Sequence, residues 1–311
     1  MILTVTLNAS VDRTSYADNF VVGKINRIPQ PIELAGGKGL NVTRALLTLG
    51  YKDKVLATGF LGGFFGQRLE QLMNEDHINY DFFHIKNNTR CCLAIIDKKN
   101  NTLTEINENG PFISEEELKA FFSKLENLCK KSKILVVAGS LPHSLPDNTY
   151  AKIIDIAKSF GLITLLDAKD SVLKNGLGAS PYIIKPNRTE AETLLGFTLK
   201  TEEALIKGIY FLSDYSKIAC ITLDKDGCII GNKNEIYKLT APEIEILNTV
   251  GSGDSFLAGM IHAFLEEKNI LDIAKYGIAC GSANAMTEKA GFFKLEDVYS
   301  LLEKIKYKKI L

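Results

Sequence analysis

Residues 249–255 read TVGSGDS and run directly into an apolar pattern with helical spacing. Gly251, Ser252 and Gly253 thus stand at a helix start, with Asp254 in its first turn. The N–H groups of a first helical turn lack partners inside the helix, and together with the helix dipole they attract an anion. Asp254 is open to two readings, a charge complement for that dipole or a base beside an anion site. The segment is no dinucleotide fingerprint, because Phe256 stands where GxGxxG needs its third glycine.

Three other loops offer chemistry. AGGKGLN (35–41) places Gly36, Gly37 and Lys38 before a helix that carries Asn41. Its glycines allow close backbone approach to an anionic or hydroxyl-rich ligand, and a plain tight turn fits equally well. It is not a Walker A loop, since Gly39 follows Lys38 where Ser or Thr is required. KPNRTE (185–190) sets Asn187 and Glu190 three apart at a helix start, where they could hold the waters of a magnesium ion. The local pattern favours the simpler reading, an asparagine N-cap with Glu190 as its capping-box partner. TLNASVDRT (6–14) puts Asp12 after the first strand, and AGSLP (138–142) puts Ser140 after a later one.

These loops need a frame. Nearly continuous apolar runs at 2–7, 54–60, 133–139, 162–167, 182–186 and 217–223 read as strands buried on both faces. Helical patterns alternate with them at 39–49, 65–75, 114–131, 147–159, 188–195 and 201–213, the third opened by the capping-box signal SEEE. The alternation predicts an α/β fold with a mostly parallel central sheet, helices on both faces, and ligand loops at the carboxyl ends of the strands. Two insertions, at about 12–34 and 81–107, read instead as strands joined by polar turns, one of them DKKNN at 97–101. They predict a small β-layer beside the main sheet. DKDG (224–227) predicts another hairpin, and the chain beyond Gly253 reads as mostly helical, with KIKYKK as a solvated helix end. A single domain over 1–311 is the economical organisation.

Composition narrows the function. Lys+Arg and Asp+Glu both total 37, so the formal net charge is zero, which argues against a nucleic-acid or membrane-surface partner. No run approaches the length of a membrane span, and the amino terminus lacks the features of a signal peptide. The six cysteines form no CxxC pair, and the four histidines show no metal-ligand spacing. Buried thiols of a reducing, cytoplasmic compartment are expected.

Taken in order, TLNASVD, GGKGLN, Thr89–Arg90, AGSLP, KPN and GSGDSFLAG resemble the phosphofructokinase B family of ribokinase-like carbohydrate kinases along the whole chain. Within it the chain is most similar to the phosphosugar branch, the 1-phosphofructokinases and tagatose-6-phosphate kinases. The resemblance implies a ribokinase-like fold with a β lid, an ATP- and Mg2+-dependent reaction, and a homodimer formed through the lid. It makes Asp254 the base and the amides of Gly251, Ser252 and Gly253 an anion hole. Asp12, Gly36, Gly37, Lys38, Asn41 and Ser140 would bind the sugar, and Arg90 the phosphate already on it. Lys185, Asn187 and Glu190 would lie near the nucleotide phosphates and a water-held magnesium, while Thr222, Gly227 and Asn284 would line the nucleotide pocket. Fructose 1-phosphate is the expected acceptor because TEINENGP (104–111) and GLGASPYIIKPNRTE (176–190) look like the 1-phosphofructokinase versions; tagatose 6-phosphate is the alternative. A non-catalytic sugar-phosphate sensor would have lost Asp254 or its glycines, and both are present. Three residues depart from the family pattern: Ala9 for proline, Cys92 for asparagine and Asp224 for glycine.

Overall fold

The computed structural model describes residues 1–311. Its strands are β1 (Ile2–Thr6), β2 (Ser10–Ala17), β3 (Ile32–Gly36), β4 (Val55–Leu61), β5 (Phe83–His84), β6 (Arg90–Asp97), β7 (Thr102–Asn107), β8 (Ile134–Ala138), β9 (Ile163–Asp167), β10 (Ile183–Ile184), β11 (Ile218–Thr222), β12 (Cys228–Gly231), β13 (Ile236–Thr240) and β14 (Lys306–Lys309). Its helices are α1 (Lys38–Thr48), α2 (Gly63–Glu75), α3 (Glu115–Cys129), α4 (Thr149–Ser159), α5 (Asp170–Leu177), α6 (Arg188–Leu195), α7 (Glu202–Leu212), α8 (Ser252–Leu265), α9 (Ile270–Ala285) and α10 (Leu295–Leu302).

The main sheet runs β14-β13-β12-β11-β10-β9-β8-β1-β4-β5, parallel from β11 to β5 and antiparallel from β11 to β14. Apolar side chains point to both faces, as continuous apolar strands require. Leu3 and Val5 of β1 join Leu135 and Val137 of β8 in one core, under α3 and α4. Ile2, Ile134 and Val136 enter the other, under α1, α8 and α9. The chain leaves β1 toward β4 on one side and returns through β8 on the other, so β1 and β8 flank the point where strand order reverses. Loops at such a point splay apart and leave a crevice.

A separate four-stranded sheet, β3-β2-β6-β7, forms the β-layer. Its β2 and β6 run parallel with Asp12 opposite Cys92 and Ser10 opposite Arg90, and Asp97 turns the chain at the DKKNN hairpin. The expected boundaries shift. Phe83–His84 adds to the edge of the main sheet beside β4, so the second insertion enters the lid only at Arg90. Residues 18–31 carry no strand, and Gly23 there turns with φ 78°.

KIKYKK is no helix end. Lys306–Lys309 pair antiparallel with β13 as the outermost strand. Lysines on an exposed edge discourage further pairing, and that polar run carries no strand-like apolar signal. The Asp-Gly hairpin is present between β11 and β12.

Candidate active site

The floor of the crevice is the start of α8. Gly251 caps it with φ 80°, and a Cβ there would meet the Cβ of Ala290 at 2.8 Å, so glycine is required on both counts. The N–H groups of Gly251, Gly253 and Asp254 find no acceptor within the protein, whereas that of Ser252 bonds to Thr249 O at 3.2 Å. The turn thus engages the Ser252 amide and leaves those of Gly251, Gly253 and Asp254 without a partner. Asn284 also differs from expectation. It is wholly buried, its amide donating to Val250 O and Ser252 Oγ and its oxygen accepting from Ser255 Oγ and the N–H of Gly291. With all four bonds filled, Asn284 clamps the glycine turn rather than lining a nucleotide pocket.

Asp254 is 5% exposed, and its Oδ2 accepts a 2.8 Å bond from Asn41 Nδ2. Burial pushes its pKa up to about 6, opposed by the charges of Lys38 and Lys185 and by the Asn41 bond. Its Oδ1 is free of protein donors. Asn41 in turn accepts from Arg44 Nη1 at 3.0 Å, so both ends of its amide are engaged before any sugar arrives.

Asp167 ends β9 with its side chain 1% exposed, between Lys38 Nζ and Lys185 Nζ, each 3.0 Å away. Burial alone would raise this carboxyl, but Lys185 and then Lys38 outweigh it and hold the acid below its ordinary value. Asp167 likewise is the main reason that Lys38 stays protonated. Lys185 reaches from this pair toward the amide end of α8, 3.8 Å from where a Gly253 Cβ would stand. Lys185 therefore faces the unpaired amides, and Lys38 shares its carboxylate partner. Asn187 and Glu190 form the capping box that their spacing favours, each side chain accepting from the other's N–H at 2.8 Å. The cap uses Oε2 of Glu190; Oε1 lies 3.9 Å from Lys38 Nζ. No cluster of three or more His, Cys, Asp or Glu side chains offers a direct metal cage. One spare carboxylate oxygen beside a cavity fits a magnesium ion that keeps its waters.

Two adjoining cavities of about 380 and 410 Å³, neither lined by a residue of α8, share Asn8, Arg90, Gly139, Ser140 and Lys169. The smaller also meets Gly37, Lys38, Asn187 and Glu190. Arg90 lines both cavities, is held by the carbonyls of Asn8 and Glu108, at 3.1 Å each, and forms no direct ion pair. Ser140 accepts from Asn8 Nδ2 at 3.2 Å. Asp12 accepts from Ser10 Oγ at 2.6 Å, and its carboxyl is raised by burial, partly offset by that bond and by Arg90. Gly36 makes its place: a Cβ at residue 36 would fall 2.1 Å from the Asp12 carboxyl carbon. At Gly37, with φ 118°, a Cβ would lie 2.6 Å from Thr6 Cγ2. Thr222 bridges to Asn187, and Gly227 turns with φ 93° where a Cβ would strike Leu239 O at 2.2 Å. Asp224 adopts φ 54°, a conformation suited to the glycine it replaces, with its side chain exposed.

The profile of the pfkB family carbohydrate kinases matches residues 5–297. The chain belongs to that family. A tagatose-6-phosphate kinase of Staphylococcus epidermidis is 36% identical over 312 residues, covering 98% of this chain and 99% of its own. A 1-phosphofructokinase of Bacillus subtilis is 33% identical over 307 residues with the same coverage. A solved Thermotoga maritima structure, described as a possible 1-phosphofructokinase, matches all of both chains with a TM-score of 0.90 at 27% identity.

This pfkB kinase is thus a phosphotransferase acting on a sugar hydroxyl, with ATP as the phosphoryl donor its family implies. No helix is long and apolar enough to cross a membrane. Four residues of the candidate site were not singled out from sequence: Asn8, Arg44, Asp167 and Lys169. Asp167 carried a signal, an acid closing an otherwise apolar strand. Asn8 lay within TLNAS, and Lys169 follows the end of β9 by two residues.

Proposed function

We propose that this kinase transfers the terminal phosphoryl group of ATP, with Mg2+, to O6 of fructose 1-phosphate, giving fructose 1,6-bisphosphate. The observation that carries the chemistry is Asp254, buried against unpaired amides of α8 with Oδ2 held by Asn41 and Oδ1 left for an acceptor hydroxyl. Asp254 takes the hydroxyl proton as the new O–P bond forms and the bond to ADP breaks. The amides of Gly251, Gly253 and Asp254, with Lys185 beside them, meet the charge on the moving phosphoryl group. Lys38, fixed by Asp167, lines the smaller cavity. Mg2+, held through water near Glu190 and Asn187, would neutralise charge on the nucleotide phosphates.

Arg90 supports an acceptor that already carries a phosphate, because a guanidinium without a carboxylate partner suits two phosphate oxygens. The second reading, tagatose 6-phosphate phosphorylated at O1, is supported by the name of the Staphylococcus epidermidis relative. A homodimer through the lid belongs to the proposal, supported by Leu103 and Ile106 exposed on β7. So does a cytoplasmic location, which the six free cysteines fit. Initial rates with ATP and Mg2+ across fructose 1-phosphate, tagatose 6-phosphate, fructose 6-phosphate and free fructose test the reading. Fructose 1-phosphate should give the highest kcat/KM; preference for tagatose 6-phosphate replaces the acceptor, and preference for the free sugar overturns the role of Arg90.

A further inference from the structure

Arg44 is 2% exposed in the middle of α1, and it makes four hydrogen bonds and an ion pair. Nε and Nη2 meet Asp76 Oδ2 at 2.9 Å, and Nη2 also meets Ala35 O at 2.7 Å. Nη1 donates to Asn41 Oδ1 at 3.0 Å and to Ala290 O at 3.1 Å. Phe292 covers the guanidinium, its ring centre 5.2 Å away. A buried charge is costly, and folds commonly do as well with an apolar residue in its place.

The partners give this one a use. Ala35 precedes Gly36, the residue that makes room for Asp12. Ala290 is the neighbour against which Gly251 packs. Asn41 donates to Asp254. An asparagine amide can sit either way round, and here only one orientation works: with Oδ1 on the Arg44 guanidinium, Nδ2 must face the carboxylate. Turned over, Asn41 would set an oxygen against Asp254 and an N–H against a cation. We propose that Arg44 is a positioning residue for phosphoryl transfer, fixing the Asn41 amide so that Asp254 is aimed and kept ionised. The inference rests on the reading of Asp254 as the base.

Without the Asn41 donor, Asp254 is left with burial and Asp167 favouring its protonated form, and Lys38 and Lys185 opposing it. The test compares Arg44→Met and Arg44→Lys with the parent enzyme. Both should lower kcat by about tenfold or more while the sugar KM stays within about threefold. Both should move the acid limb of kcat/KM to higher pH, methionine further than lysine, since lysine keeps a donor for Asn41 and a partner for Asp76. In an Asp254→Asn background the same changes should cost little more, because residues acting as a unit are not additive. If the methionine variant does not fold, the lysine variant carries the test by the same readings. A folded variant with the parent's acid limb, a loss confined to KM, or a full multiplicative loss in the Asp254→Asn background overturns the role of Arg44. High turnover in Asp254→Asn alone would instead overturn the base.

Discussion

Asn41, Arg44, Ser255 and Asn284 around Asp254 are buried and hydrogen-bonded, whereas β7 of the lid exposes all six of its residues. Around the unpaired amides, the side chains of Asn41, Arg44 and Asn284 all have partners, so a change to one leaves another buried group unpaired. The outer strand of the lid, β7, is held by its pairing with β6, with Leu103 and Ile106 on an open surface. Chemistry that needs groups aligned to a fraction of an ångström belongs on the first; capture and release of substrate belong on the second. The comparison assigns kcat to the floor and KM to the lid.

The sharpest way to break this assignment is Asp254→Asn. Loss of a positioned base should lower kcat by about 10²–10⁴-fold with sugar binding retained, measured by steady-state rates and equilibrium titration. The same variant should melt higher than the parent at neutral pH. A carboxyl held at about 6 instead of its ordinary 3.8 costs the fold on the order of 3 kcal/mol when ionised, and asparagine removes the charge while still accepting from Asn41. Equal melting temperatures would mean that the floor stores no such strain.

A smaller effect should come from the other side of the cavity. Arg90→Gln removes a charge-assisted contact worth about 1.5–3 kcal/mol, so the phosphosugar KM should rise about 10- to 100-fold with kcat nearly unchanged. The KM of ATP should stay close to the parent value. A fall in kcat with constant KM would move Arg90 to the floor.

The contrast also explains what could be read from residues alone. Loop chemistry is local: GSGD, GGKG and KPNxxE each place their groups within one turn, and the fold joins them, with Asn41 bonded to Asp254, Lys185 beside Gly253 and Lys38 3.9 Å from Glu190. Asp167 was absorbed into an apolar run because one acid at a strand end does not alter the pattern. Arg44 sits in a helical sequence where only the packing of β3 and the segment around Ala290 makes it a buried cation. Asn284 was placed with the nucleotide, although three of its partners, Val250, Ser252 and Ser255, come from a distant segment that no local spacing relates to it. The lid was legible as strands, but its boundaries depended on pairing: Phe83–His84 found β4, and Ser10–Ala17 found β6.

The mildest perturbation, pH, reaches both regions through their acids. Asp254 must be ionised to accept a proton, so kcat/KM should fall below pH about 6, and at pH 5 it should stand roughly tenfold under its plateau. Burial raises Asp12 as well, so where its charge is needed for the sugar the limb should steepen, and Asp12→Asn should return it to a single titration. Stability runs the other way. A folded-state pKa above the unfolded one means that the native protein binds the proton more tightly, so the Asp254 contribution is fully present below 3.8 and is lost as pH rises through about 6. The melting advantage of Asp254→Asn should therefore be largest at pH 7 and fade toward pH 4. An advantage that is independent of pH would show that packing, rather than the charge at the amide end of α8, sets the cost of holding this base.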